Sequence, residues 1–114
     1  MPLRHHELCF GCGRTNLFGL LAELEPAGEG RVTGRCFLKQ DHQGPQPGRA
    51  HPGLIAAALL EALLLAGGEK LGAVQLEFAG TAPVGAFLEL EASGLTATAT
   101  AEGQIVARAR ASYG

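Results

Sequence analysis

Between Arg31 and Gln40 the chain alternates. Val32, Gly34, Cys36 and Leu38 fall on one side, and Arg31, Thr33, Arg35 and Phe37 on the other. A period of two is the mark of a half-buried strand. The same period returns four times. Val74, Leu76 and Phe78 alternate with Gln75 and Glu77, and Leu88, Leu90 and Ala92 with Glu89 and Glu91. Thr96, Thr98 and Thr100 alternate with Ala97, Ala99 and Ala101, and Ile105, Ala107 and Ala109 with Val106, Arg108 and Arg110. A shorter apolar piece, Leu20 to Leu24, reads as a strand stopped by Pro26, Gly28 and Gly30. Short turns at Pro83–Gly85, Ser93–Gly94 and Glu102–Gly103 predict antiparallel neighbours. Asp41 to Ala50, dense in Gly and Pro, reads as a loop.

One segment breaks the alternation. From about Gly53 to Ala66 every residue is apolar or Gly except Glu61. Pro52 suits the first turn of a helix, and Gly67 and Gly68 stop it. A helix that is apolar all round is buried all round. The order is therefore two strands, one helix and four strands, an α+β arrangement. A curved antiparallel sheet of about five to six strands, wrapped around the helix, supplies cover on every side. Its edge strands would be protected by pairing across a two-fold axis, in a homodimer or a dimer of dimers.

Composition narrows the function classes. The 114 residues make one domain, 1–114, whose opening segment, 1–19, is irregular and rich in Cys, His and Gly. At 46% hydrophobic and 18% charged, the chain is not disordered. Its net charge is −2 and its cations are scattered singly, so no nucleic-acid partner is expected. The apolar run Leu54–Ala66 is too short to span a membrane, and the opening residues carry no signal-like stretch. A cytoplasmic protein is expected. Three cysteines, an odd count, argue against a disulfide framework.

Three pieces carry a resemblance: CFGCGRTNLFGL near the start, HQGPQPGRAHPGLIAAALLEA in the middle, and LEFAGTAPVGAFLELEA after the helix. Together they resemble the hotdog-fold acyl-CoA thioesterases of the PaaI type over nearly the whole chain. The resemblance implies a hotdog dimer or tetramer acting on a small or medium acyl- or aryl-CoA thioester. Coenzyme A enters as part of the substrate, and no separate cofactor is implied. In that family a Gly directly after a loop His is expected to bind the thioester oxygen through its N–H. Here Pro52, which has no N–H, follows His51, and in that register the family's Asp falls on Leu60. A second register restores both groups. Gly53 and Glu61 keep the family's spacing of eight, with one extra residue between His51 and the helix. The second register is preferred, because a rigid helix fixes spacing and a loop does not.

The chemistry of that register can be argued from the residues. Thioester hydrolysis needs a donor for the developing oxyanion and a carboxylate that attacks or activates water. Gly53 lies where helix N–H groups are free and the dipole favours negative charge. Glu61 lies roughly 12 Å further along the axis, at about 1.5 Å per residue. One carbonyl cannot reach both on one chain, so the site would be composite, with Gly53 from one protomer and Glu61 from its mate. The plain alternative for Glu61 is an inert carboxylate at the helix rim. His51 either orients the thioester or caps the loop backbone. Asp41, His42, Gln43 and Leu54 border the expected acyl pocket, and Thr81 stands at a strand end near it. Each of the polar ones also reads as ordinary loop chemistry.

Cys9-Phe-Gly-Cys12-Gly13 has the shape of half a zinc knuckle, which His5 and His6 could complete. Only one Cys-x-x-Cys is present, and Cys36 lies in a strand. Two packed thiols in a tight Gly turn are the preferred reading, with no metal assigned. Three other functions stay open: a non-catalytic acyl-CoA binding module, a hotdog dehydratase or hydratase, and a pure assembly protein. The dehydratase ranks below the binding module, because its Glu follows the helix start at a shorter spacing.

Overall fold

The computed structural model describes residues 2–67 and 71–113. Met1, in the irregular opening segment, and the expected helix stop at Gly68 lie outside the described residues. The elements run β1 (Glu23–Pro26), β2 (Arg31–Phe37), a 3-10 turn (Gln40–His42), α1 (Pro52–Gly67), β3 (Leu71–Phe78), β4 (Phe87–Ser93), β5 (Thr96–Ala101) and β6 (Gln104–Tyr113). The six described strands form one antiparallel sheet in the order β1-β2-β4-β5-β6-β3. Helix α1 lies against it, mainly on β4, β5 and β2. The α+β expectation of one apolar helix on a curved sheet holds.

Alternation decides which face meets the helix. Val32, Cys36 and Leu38 are buried, as are Leu88, Leu90, Ala92, Ala97, Ala99 and Ala101. From α1 they meet Ile55, Ala58, Leu59, Ala62 and Leu63. The core is aliphatic, and β5 and β6 contribute mostly alanines to it.

Three details differ from the sequence reading. The first strand begins at Glu23, not Leu20, because the backbones of Leu20 and Ala22 donate instead to Phe10 O (2.7 Å) and Gly11 O (2.9 Å). The opening segment thus takes hydrogen bonds that a longer β1 would have used. In β6 the alternation slips. Val106 and Ala107 are both buried and Ile105 is 41% exposed. A bulge opposite Ala99–Thr100 inserts one residue and flips the parity. Finally, the turn at Pro83–Gly85 does not join sheet neighbours, since β3 crosses to the far edge and pairs with β6. The Glu102–Gly103 turn does join neighbours, with φ of 52° and 79°, the paired positive values of a tight hairpin.

The loop before α1 is well tied. The N–H of Ala50 donates to Ala82 O (2.8 Å), and that of His51 to His42 O (2.8 Å). These bonds fix where the helix starts.

Candidate functional site

The N-terminal end of α1 opens into a cleft of about 390 Å³ lined by Phe10, Asp41, His42, Gln43, His51, Gly53, Leu54 and Ala57. The structure therefore brings together His42, Gln43, His51, Gly53 and Leu54 of the expected site. It does not bring Thr81 or Glu61 to this cleft. Thr81 is exposed beside Ala82. The sequence reading did not single out Phe10 and Ala57. Ala57 follows Gly53 by one helical turn, a spacing that could have found it. Phe10 comes from the opening segment, and nothing local announces it.

His51 sits immediately before the helix. Its ring Nδ1 accepts the Gly53 N–H at 2.8 Å, and its carbonyl accepts from Leu54 (3.0 Å) and Ile55 (3.2 Å). His51 is thus the helix N-cap, and the Gly53 amide is engaged by it. His42 is 8% exposed, and its Nδ1 accepts the Lys39 N–H at 2.9 Å. The neutral ring therefore carries its proton on Nε2. Burial holds its pKa below the ordinary 6.5, helped by the Lys39 charge and opposed by Asp41. His42 is a neutral donor at the edge of the cleft.

A second cluster lies beneath the opening segment. Glu61, two turns along α1 from Gly53, is 5% exposed. Its Oε2 is 3.0 Å from His5 Nδ1, and Cys9 Sγ lies 3.9 and 3.8 Å from the two carboxylate oxygens. The same Nδ1 is 3.5 Å from Cys9 Sγ and 3.4 Å from Cys12 Sγ. All four donor atoms lie within 4.8 Å of one another.

The opening turn is built to allow this. Gly11 packs on Glu61 so closely that a Cβ there would collide with the carboxylate. The Gly13 N–H closes the turn on Cys9 O at 2.9 Å, and the His5 N–H points at Cys12 Sγ at 3.1 Å. Burial, and then the Glu61 carboxylate, push the Cys12 thiol up to about 12. The sequence reading had named His5, Cys9 and Cys12 as possible partners. It missed Glu61 as the fourth member, because nothing in the sequence relates residues 9 and 61. His6 stands apart, its Nδ1 accepting the Leu8 N–H at 3.2 Å.

No family model matches the chain, and no curated protein matches it. Solved structures do. The chain is similar to a thioesterase superfamily protein at 22% identity and a TM-score of 0.77, covering 87% of this chain and 58% of that one. It spans little more than half the length of that protein. A mutant of the phenylacetic acid degradation protein PaaI from Thermus thermophilus matches at 20% identity and a TM-score of 0.68, covering 79% and 89%. A hypothetical thioesterase from Streptococcus pneumoniae, solved with coenzyme A, matches at 14% and 0.68, covering 79% and 84%. At these identities the likeness is one of fold, and the fold of this chain is the hotdog fold that these thioesterase structures share.

Proposed function

We propose that this protein acts on a small or medium acyl- or aryl-CoA thioester, hydrolysing it at the N-terminal end of α1. The observation that carries the reading is the cleft there, where a neutral buried histidine and a helix N-terminus meet apolar walls. In this reading the Nε2–H of His42 donates to a thioester oxygen, and Leu54 and Ala57 give the acyl group its apolar contact. Three similar structures support it, two named thioesterases and one named a phenylacetic acid degradation protein, and one of the three holds coenzyme A.

The finer assignment is composite. The carbonyl lies near Gly53 of one protomer, and Glu61 of the other supplies the carboxylate, as nucleophile or as general base. This requires a homodimer and two exchanges of contact. His51 must release the Gly53 amide, and the opening segment must release Glu61. Those same two contacts favour the second reading, a protein that binds acyl-CoA without hydrolysing it.

Free-thiol release over a panel of acyl- and aryl-CoA substrates tests the proposal. Hydrolysis by the wild type that falls about a hundredfold or more in Glu61→Gln supports the composite site. Binding of acyl-CoA with no thiol release on any substrate establishes the second reading instead.

A further inference from the structure

Four side chains of the metal-ligating types meet at one point. The His5 Nδ1 approaches Glu61 Oε2, Cys9 Sγ and Cys12 Sγ at 3.0, 3.5 and 3.4 Å, yet carries at most one hydrogen. The carboxylate only accepts, and thiols are weak donors. A cation at the centre would engage all four at once.

The distances fit an ion of a particular kind. Bonds of about 2.0–2.3 Å in a tetrahedral zinc site hold neighbouring ligand atoms about 3.3–3.8 Å apart. The separations from His5 to the other three and from Cys9 to Glu61 run from 3.0 to 3.9 Å, and all four atoms lie within 4.8 Å of one another. Two thiols and an imidazole select zinc-like metals over calcium or magnesium. The His5 N–H aimed at Cys12 Sγ is a donor that a metal-bound thiolate would accept. Glu61 and Cys12 are buried, so a bound ion is shielded from water.

We propose that His5, Cys9, Cys12 and Glu61 bind one zinc-class divalent cation, which pins the opening segment to the middle of α1. The two thiols lose their protons to solvent on binding, and the four ligands close the coordination shell. Phe10 stands between two of the pinned positions and lines the cleft at the helix start. The ion therefore sets one wall of that cleft. This inference does not rest on the thioester reading, although both lay claim to Glu61.

The test strips the full-length protein with a chelator and returns zinc or cobalt. After gel filtration, metal per chain is measured. The expected result is one ion per chain, with thiolate-to-cobalt charge-transfer bands in the cobalt form. His5→Ala and the Cys9→Ser/Cys12→Ser double variant lose stoichiometric metal, and Glu61→Gln binds at least about tenfold more weakly. His6→Ala, outside the cluster, keeps one ion. His5 is partly exposed, so its variant reports on the site even where the double variant does not fold. Sub-stoichiometric metal in the wild type, cobalt spectra without thiolate bands, or full retention by His5→Ala overturns the proposal. Thiol release from acyl-CoA is read separately, so failure of the metal site and failure of the thioester reading give different results.

Discussion

His51 offers a sharp test of how the helix start is built. Its Nδ1 accepts the Gly53 N–H at 2.8 Å, a cap that histidine seldom provides. Truncation to Ala leaves that amide without its partner. Loss of an N-cap acceptor costs typically about 1 kcal/mol. The His51 ring is exposed, so water recovers part of the bond, and the cost belongs in the lower half of the range. For a chain of this size that is a fall in Tm of about 4 °C or less. Serine, a strong capping residue, restores the acceptor. Thermal unfolding by circular dichroism should therefore rank wild type and His51→Ser together, with His51→Ala below them. Equal losses in Ser and Ala would refute the cap as the source of the stability. The same pair separates the two roles of His51. If it only caps, His51→Ser keeps the kcat/KM of the wild type. If its ring orients the thioester, Ser loses activity while keeping Tm.

Three further outcomes follow from burial and contact. The pKa of His42 is held below 6.5 in the folded chain by burial first, so the unfolded chain binds that proton more readily. Its contribution is complete above about pH 6.5 and is lost as pH falls through the lowered folded value; His42→Asn, which keeps an acceptor for the Lys39 N–H, should flatten that part of the denaturant-midpoint profile. Leu59→Ala, at a fully buried position under the sheet, should cost about 2–5 kcal/mol in urea unfolding, and a loss under about 1 kcal/mol would contradict the packing. Gly34→Ala should destabilise strongly or prevent folding, because its Cβ would strike the Glu23 carbonyl across the β1–β2 pair, and a wild-type Tm would show that the strands do not approach so closely.

Much of this architecture can be read from the order of residues. Alternation located β2, β4 and β5, because each has one face on the helix and one in water. The apolar run, broken only by Glu61, located α1 to within a residue at each end. What failed was non-local. The start of β1 depends on Phe10 and Gly11 taking its amides, and the slip in β6 depends on a bulge against β5. Neither leaves a local signal. The candidate site divides the same way. His42, Gln43, His51, Gly53 and Leu54 lie close in sequence and close in space. The meeting of residues 5, 9 and 12 with Glu61 is made by a tight glycine turn folding over the helix, and only the three-dimensional arrangement discloses it.

The central claim is that the acyl-CoA thioester lies at the N-terminal end of α1. Titration with a non-hydrolysable acyl-CoA thioether, followed by amide chemical shifts, tests it most directly. Saturable shifts at Gln43, Gly53, Leu54 and Ala57 are the predicted result. Saturable shifts confined to other parts of the chain, or none at all, would contradict it.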